Sequence, residues 1–479
     1  MKFSSWFLLA IVLLIFASFP QVAMSNNIQV TTPILTGQNT GTHYTQVQFT
    51  VTWDNSWRDV VNWDAAWVFV KYKGNDGLWH HATLSATGSD HTAPAGSTIT
   101  PSSDGKGVFI YRSTNGSGSN SFANVKLHWN YGTDGVGDND LVTVKVFAIE
   151  MVYVPQASFY VGDGTSNNVN YQFSQGNTTN PFQITGEGQL TLGGTSTSNL
   201  GSRNNGSDDF NNSQTQTLLA AFPKGYNAFY CMKYEISQGQ YADFLNALTS
   251  TQASTRYANQ NGHGYTISVT GGVYSASAPD CACNYLGAPD GLAYCDWAGL
   301  RPITELEFEK ACRGDQTPVA DEFAWGTTNI VRQTGFGGTE GSGTETATPS
   351  GANCNYNDGL DRPVRCGIYA TGSSSREAAG ASYYGIMELS GNLADGVVIL
   401  GNSTGRGFTG NHGDGNLDGS GNASVSNWPA TSGIGTGLRG GNYLYAAYNE
   451  RVSDRENSLT AWGAGGQFNV GFRGGHTGP

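Results

Sequence analysis

The residues best suited to contact another molecule lie near the end of the chain, in RGGNYLYAAYNERVSDREN, residues 439–457. An arginine and two glycines precede three tyrosines, and asparagines stand on either side of the tyrosines. Tyr offers a large contact area with little loss of conformational entropy, and Asn adds adaptable hydrogen bonds. The candidate ligand-binding residues are Asn442, Tyr443, Tyr445, Tyr448, Asn449 and Trp462. Their types predict an exposed recognition surface, and the alternative is a buried aromatic strand.

Catalysis by acid–base or nucleophilic chemistry needs titratable groups within hydrogen-bond reach of one another. Residues 442–471 offer Glu450, Asp454 and Glu456, but they include no His and no Cys. These residue types favour binding over catalysis, and we assign no catalytic residue. An enzyme with altered chemistry is the weaker alternative.

The stretch DGNLDG, residues 414–419, carries oxygen-rich side chains typical of the first half of a calcium-binding loop. The predicted ligands are Asp414, Asn416 and Asp418. The twelfth position of such a loop, where Glu usually completes the site, is Val425 here. A solvated Asp/Gly turn is therefore the alternative to a calcium site.

The composition of the chain excludes one class of partner. The 479 residues carry a formal net charge of −13 and contain no run of Lys or Arg. Because nucleic acid binding needs a basic surface for the phosphates, we expect no nucleic acid partner. Charged residues make up only 13% of the chain and Gly occupies 66 positions, which favours a strand- and loop-rich exported protein.

The N-terminus predicts export. Lys2 precedes an apolar, uncharged run from Trp6 to Phe19, and Ala23 and Ser25 then offer small residues at cleavage spacing. This pattern is typical of a secretory signal peptide, which we place at residues 1–25. A membrane anchor is the alternative, but the run is shorter than the ~20 residues that cross a bilayer. We therefore expect a secreted or cell-surface protein without a membrane span.

Seven cysteines are present, and all follow residue 230. Outside the cytoplasm they can form disulfides, and the odd count leaves at least one thiol unpaired. Cys281 and Cys283 lack a second close pair and a neighbouring His, so a metal site is not favoured there. Disulfides and buried thiols both remain open.

The elements that position these residues divide into two predicted domains. Residues 26–150 contain short segments, such as VQFTVTWDNSW at 47–57, in which apolar and polar residues alternate. That alternation predicts half-buried strands, and their number and spacing predict a β-sandwich. Residues 151–479 form the second domain, in which the polar residues 165–216 read as an insertion or exposed loop.

Two helices are predicted in the second domain. In SQGQYADFLNAL, Ser237 is a candidate N-cap, and Tyr241 and Phe244 fall on one face with two leucines. In TELEFEKACRG, Thr304 and Glu307 form a capping box. The whole chain is therefore expected to have an α+β fold.

Seven stretches along residues 151–475 resemble, in order, the landmarks of the formylglycine-generating enzyme (sulfatase-modifying factor) family. They are MVYVPQASFYVGDG, YCMKYEISQGQYADFLNAL, GLRPITELEFEKACRG, FAWG, YYGIMELSGNLADG, LRGGNYLY and NVGFRGG. The resemblance implies an irregular fold like that of C-type lectins. It also implies a possible oxidation of a substrate cysteine to formylglycine by copper, held by two cysteines between the RGG and GFR motifs.

The resemblance also shows what the chain lacks. Residues 442–471 contain no cysteine, so the copper site cannot form and we expect no copper. Family members commonly bind calcium near the GN motif, which corresponds to Asn392, with Asp395 in the acidic position. The terminal Asn/Tyr-rich segment also resembles the variable region of diversity-generating retroelement target proteins, which use this fold.

The leading interpretation is a secreted, non-catalytic binding protein, a pseudoenzyme that presents Tyr and Asn on a lectin-like scaffold. Its partner would be a protein or a glycan at an extracellular surface. The second interpretation is a structural component of a cell-surface assembly or filament, in which the chain associates with itself.

Overall fold

The computed structural model describes residues 27–165, 171–203, 208–357, 360–458 and 462–478. The predicted signal peptide at residues 1–25 lies outside these ranges and stays a prediction. Within the described ranges, no helix combines the length and the apolar character that crossing a membrane requires.

Residues 29–154 form the first nine strands. They are β1 (Gln29–Val30), β2 (Ile34–Asn39), β3 (Tyr44–Arg58), β4 (Asp64–Lys73), β5 (Trp79–His81), β6 (Ser97–Pro101), β7 (Val108–Arg112), β8 (Gly116–Trp129) and β9 (Thr143–Val154). Along β3, buried residues alternate with half-buried ones, as the sequence predicts. The polar residues of this alternation face outward and the apolar ones face the core.

Two sheets pack over one apolar core in this part of the chain. In the first sheet β3 pairs with β8 along one edge and with β1 and β2 along the other. The second sheet contains β6, β7, β4 and β9, and β5 pairs with β4. Val47 and Phe49 of β3 share a buried cluster with Val68 and Val70 of β4. This shared cluster holds the two sheets face to face.

The later strands and the helices are shorter. The strands are β10 (Phe159–Val161), β11 (Phe173–Gln175), β12 (Phe182–Ile184), β13 (Leu190–Leu192), β14 (Leu200–Ser202), β15 (Gln216–Leu218), β16 (Phe229–Met232), β17 (Ile267–Thr270), β18 (Val273–Ala276), β19 (Arg301–Pro302), β20 (Gly335–Gly337), β21 (Thr346–Thr348), β22 (Ala394–Val398), β23 (Thr436–Arg439), β24 (Val470–Gly471) and β25 (Gly474–Thr477). The helices are α1 (Gln238–Leu245), α2 (Ser250–Arg256), α3 (Ala288–Trp297), α4 (Glu305–Arg313) and α5 (Ser403–Arg406). The chain is thus a mixed, strand-rich protein with several sheets.

Strand β9 joins the two predicted domains into one continuous sheet. Its residues 143–152 pair with β4, and its residues 151–154 pair with β16. The sheet continues through β16 to β25 and β19, so its order is β19-β25-β16-β9-β4-β7-β6. The boundary predicted at residue 150 therefore falls inside a strand. The sequence could not show this, because pairing between strands that are distant along the chain leaves no local pattern.

Buried polar contacts reinforce this junction. Trp67 donates Nε1–H to the carbonyl oxygen of Ala298 at 2.8 Å. The Lys233 ammonium lies 3.0 Å from Glu150 Oε2 and 3.3 Å from Asp64 Oδ2, and all three side chains are buried. Burying a charged or polar group without a partner costs free energy. These contacts therefore favour the one arrangement of the two parts in which the groups are paired.

Both predicted helices are confirmed with their caps. Ser237 accepts from the amide of Gln240 at the start of α1, and Thr304 accepts from the amide of Glu307 at the start of α4. The sequence did not predict α2 and α3. A proline and a glycine near the start of α3 hide its helical pattern, and the helix is buried along almost its whole length.

The sequence predicts an insertion or an exposed loop at the polar residues 165–216, and the described part of this segment is not an exposed loop. Strands β11, β14, β13 and β15 form a small sheet there. Phe173, Leu192 and Leu200 of these strands are fully buried in the main core. A few apolar residues, widely spaced among Asn, Gly, Ser and Thr, are enough to anchor the segment. Residues 166–170 and 204–207 lie outside the described part of the chain.

Candidate functional site

The RGG and GFR motifs frame the candidate site from two sides of one strand. Strand β22 pairs with β23, which ends at Arg439, and with β24, which ends at Gly471. Asp395 of β22 stands opposite both of these residues. The two motifs are thus neighbours in a three-stranded sheet, and the chain between them must leave this sheet and return to it.

Two buried arginines anchor the frame. Arg439 donates to Glu309 Oε1 at 2.9 Å and to the carbonyl oxygen of Val452 at 2.7 Å. Arg473 donates to Asp395 Oδ2 at 2.8 Å and to the carbonyl oxygen of Met387 at 3.0 Å. Neither guanidinium is available to a ligand, because both are fully buried.

Two glycines turn the chain immediately after Arg439. Gly440 has φ +85° and Gly441 has φ +67°, values that L residues rarely adopt. A Cβ on Gly441 would also collide with the carboxyl group of Glu450. The turn therefore requires glycine, and it directs residues 442–450 across the end of the sheet.

Residues 444–448 form a surface arch whose two ends are fixed. At the first end, Tyr443 donates its amide to the Asn392 carbonyl oxygen at 3.0 Å. At the second end, a 3₁₀ turn at Ala447–Glu450 packs Ala447 against a buried cluster of Phe323, Trp325 and Cys354. Between these anchors the side chains of the arch turn away from the core.

The structure divides the six predicted ligand-binding residues into two groups. Tyr445 is half-buried, and Tyr448 is exposed over 42% of its surface. Leu444, which the sequence analysis did not select, is exposed over 37%. The accessible side chains of the arch are therefore Leu444, Tyr445 and Tyr448. Sequence reasoning missed Leu444 because it weighed residue types rather than the direction of each side chain.

Tyr443 and Trp462 were expected to expose part of their rings, and this expectation is wrong. Tyr443 is fully buried and donates its hydroxyl to the carbonyl oxygen of Phe468 at 2.9 Å. Trp462 is fully buried, donates Nε1–H to the Leu286 carbonyl oxygen at 2.8 Å and stacks on Phe472. Each ring finds an apolar site and a carbonyl acceptor in the core, so neither ring is available to a ligand.

Asn442 and Asn449 are also buried, which corrects their assignment as ligand contacts. Asn442 donates its amide to Glu450 Oε1 at 3.2 Å, and Asn449 donates Nδ2–H to Glu456 Oε2 at 3.0 Å. Burial raises the pKa of Glu450 well above its ordinary value. These side chains form the polar underside of the arch rather than its surface.

Asn392 and Asp395, the first predicted calcium ligands, are buried and already have protein partners. Asn392 Oδ1 accepts the Val364 amide at 2.9 Å, and Asp395 Oδ2 pairs with Arg473. Burial is the main cause that raises the pKa of Asp395 to about 6 and that of nearby Glu388 to about 7. More buried carboxyl groups than cations gather here, which is unfavourable unless protons or a cation neutralise them.

The second predicted calcium loop is exposed, and its carboxylates cap its own turns. Asp414 Oδ1 accepts the Asn416 amide at 2.8 Å. Asp418 Oδ1 accepts the amides of Ser420 and Asn422 at 2.8 and 2.9 Å. The alternative prediction, a solvated Asp/Gly turn, accounts for these contacts, and calcium binding here stays a prediction.

A buried lysine from the N-terminal part reaches this loop. Lys71 of β4 donates to the Gly415 carbonyl oxygen at 3.0 Å. Burial lowers the pKa of Lys71 well below its ordinary value, and the carboxylates of Asp296 and Asp414 oppose this shift only in part. Asp296 in turn accepts the amides of Asp414 and Ser424 at 2.9 and 2.8 Å. The amino group of Lys71 therefore occupies the inner side of the loop.

The chain matches the family model described as sulfatase-modifying factor enzyme 1-like domain over residues 181–474, more than half of its length. The chain belongs to the formylglycine-generating enzyme (sulfatase-modifying factor) family. No curated protein matches the chain. The matched range contains the RGG and GFR motifs and the arch between them.

None of the seven cysteines of this family member reaches the surface. All seven are buried free thiols, so the expectation of buried thiols is confirmed over that of disulfides. Burial raises the pKa of Cys231 and Cys281 to about 12, which keeps both thiols protonated at neutral pH. A thiolate, not a thiol, is the metal ligand and the nucleophile.

Proposed function

We propose that this family member is a secreted, non-catalytic binding protein whose ligand contacts Leu444, Tyr445 and Tyr448. The observation that carries the proposal is the construction of the arch. Its exposed side chains have the types that recognition surfaces use, while buried Tyr443, directly before the arch, fixes the first end of its backbone. A ligand at an extracellular surface, either a protein or a glycan, suits such a surface.

The proposal includes a finer description of the fold. Residues 26–150 would form a β-sandwich, which the two sheets with one shared core support. Residues 151–479 would have a C-type lectin-like fold, which the family match supports. In that fold, loops vary on a fixed frame, so binding can change while the frame stays constant.

The same arrangement supports the retroelement hypothesis in a narrower form. If the segment 442–462 is diversified, substitutions should concentrate at Leu444, Tyr445 and Tyr448, whose side chains reach the surface. They should be absent at Asn442, Tyr443 and Trp462, which are fully buried. Related copies of the locus would test this pattern, and substitutions spread evenly over buried and exposed positions would contradict it.

The binding proposal is tested by replacing the two exposed tyrosines. Ligands selected from a glycan microarray and from a displayed-peptide library serve as probes. The double variant Y445A/Y448A should lose binding to them, while its melting temperature stays close to that of the wild type. The control Y383A removes a tyrosine of similar exposure from another part of the surface and should keep binding. Unchanged binding by Y445A/Y448A would contradict the proposal.

The alternative function, a component of a surface assembly, draws support from the N-terminal part. Several large apolar side chains are exposed there, and they are Ile34, Leu35, Val60, Val61, Leu78 and Leu141. Exposed apolar side chains are candidates for contacts between copies when they lie together. Sedimentation of the full chain distinguishes the two functions. A surface assembly requires large self-associated species, and the variant V60S/V61S should disperse them. A binding protein requires no self-association.

Calcium remains part of the proposal, with the site at Asn392 and Asp395 favoured. The supporting observation is a group of three buried carboxyls, Glu235, Glu388 and Asp395, near the guanidinium groups of Arg473 and Arg365. A bound cation would stabilise the folded state by mass action. Millimolar calcium should raise the melting temperature over that in excess chelator, and E388Q should reduce this rise while D418N should not. Equal melting temperatures for the wild type would remove calcium from the proposal.

A further inference from the structure

Three side chains of types that bind metals meet where the N-terminal part touches the last strand. They are Asp104, between β6 and β7, His412, between α5 and β23, and His476, in β25. One ligand atom from each lies within 4.8 Å of the other two. Among the described residues, no other three His, Cys, Asp or Glu side chains come this close together.

His476 is in the tautomer that a metal ligand needs, with one ring nitrogen carrying the hydrogen and the other a free lone pair. Its ring is almost fully buried, with 4% of the residue exposed. Nδ1 lies 2.7 Å from the carbonyl oxygen of Thr477, so Nδ1 carries the hydrogen and donates it. Nε2 is left with its lone pair, and it is buried without a hydrogen-bond partner. Metal-binding histidines are oriented by such a bond from the second ring nitrogen to a carbonyl group.

Asp104 is oriented towards the same place. Its Oδ1 accepts the Ser102 hydroxyl at 2.6 Å and the Lys106 amide at 3.0 Å, which fixes the plane of the carboxylate. Its Oδ2 lies 3.7 Å from His412 Nδ1, which is too long for a direct hydrogen bond. Two potential ligand atoms therefore face each other without bonding.

The arrangement of the two rings defines the step that binding requires. The rings of His412 and His476 stack with centroids 3.7 Å apart and planes 9° apart. Because an ion lies in the plane of each imidazole that binds it, two stacked rings cannot share one ion. His412 must turn about its Cβ–Cγ bond, and its Nε2 must give up the Thr477 amide that it now accepts at 3.0 Å. His412 is partly exposed and lies in a loop.

We propose that Asp104, His412 and His476 form a binding site for a divalent first-row transition metal, with zinc as the ion. Zinc accepts imidazole nitrogen and carboxylate oxygen in tetrahedral sites, and water would fill the fourth position here. The ion satisfies the unpartnered Nε2 of His476 and joins the β6–β7 loop to strand β25. The site lies outside the arch of residues 444–448, so it is independent of the proposed binding function.

The test uses the full chain after treatment with a chelator, at pH 7.5. Calorimetric titration with zinc should show one ion per chain, and cobalt(II) should give the visible absorption of a four-coordinate site. H412Q and D104N should each weaken zinc binding at least about tenfold. Both residues are partly exposed, so both variants should fold, which circular dichroism checks. H80Q is the matched control, because His80 is exposed beside Asp76 in an ordinary surface pair.

One result of this experiment supports the proposed zinc site, and two results contradict it. One zinc ion that H412Q and D104N weaken, and that H80Q leaves bound, supports the site. The proposal is wrong if zinc at millimolar concentration produces no binding heat and cobalt(II) no visible band. It is equally wrong if H412Q and D104N bind zinc as the wild type does, since the ion then sits elsewhere.

Discussion

Arg473 donates Nε–H to Asp395 Oδ2 at 2.8 Å, and both side chains are almost wholly buried. This pair joins β22 to the segment after β24, in which the GFR motif lies. Buried pairs of this kind contribute to a unique arrangement more than to net stability, but breaking one leaves a charge without a partner.

We predict that R473M destabilises the protein by about 3–5 kcal/mol, since Asp395 then stays buried without its cation. Urea denaturation followed by fluorescence measures the change in the free energy of unfolding. The control H80A breaks an exposed pair, in which His80 lies 2.7 Å from Asp76, and should cost less than about 1 kcal/mol. Similar losses for the two variants would show that the buried pair does not fix the frame.

Some aromatic residues of the predicted binding segment are buried in the core and others are exposed, and this difference gives a second prediction. W462A removes a fully buried indole and should cost about 3–5 kcal/mol of folding free energy. Y448A removes a ring that is partly exposed to solvent and should cost less than about 1 kcal/mol. Thermal and urea denaturation of the purified variants measure both losses. A W462A protein as stable as the wild type would contradict the core role of Trp462.

The third prediction concerns pH and Glu150, whose buried carboxyl lies beside Lys233 and Asp64. Burial raises the pKa of Glu150 from 4.5 to about 7. The folded state therefore holds this proton more tightly than the unfolded state does. The resulting stability is fully present below the unfolded pKa and is lost as the pH rises through about 7.

E150Q keeps the hydrogen-bonding shape but cannot ionise, so it should flatten the decline in the free energy of unfolding between pH 5 and 8. Denaturation at several pH values measures that slope for the variant and the wild type. E340Q, which removes one negative charge from the partly exposed pair with Arg362, shows the effect of net charge alone. A slope for E150Q that equals the wild-type slope would refute the raised pKa.

The fourth prediction concerns the family chemistry. The purified protein should not convert a sulfatase-type cysteine peptide to formylglycine, with or without copper. The reason is that residues 442–471 contain no cysteine and the seven thiols elsewhere are buried. Mass spectrometry of the peptide is the measurement. An aldehyde product that depends on copper would overturn the non-catalytic proposal.

Some features of this protein were readable from the sequence because their causes are local. The caps at Ser237 and Thr304 start helices with contacts to residues only three positions away. The period-two pattern of β3 reflects the alternation of faces along one strand. The ordered motifs identified the family, which the family model over residues 181–474 confirms.

Other features were decided only by the tertiary structure, because their causes join distant segments. Strand β9 crosses the predicted boundary through pairing with β16, and no residue near position 150 signals this. Tyr443 and Tyr445 have the same side chain and stand two positions apart, yet one ring is buried and the other reaches the surface. Trp462 is a core residue because the Leu286 carbonyl oxygen, 176 positions away, accepts its Nε1–H. Residue type shows what a side chain can contact, whereas the packing of remote elements determines whether it faces the core or a ligand.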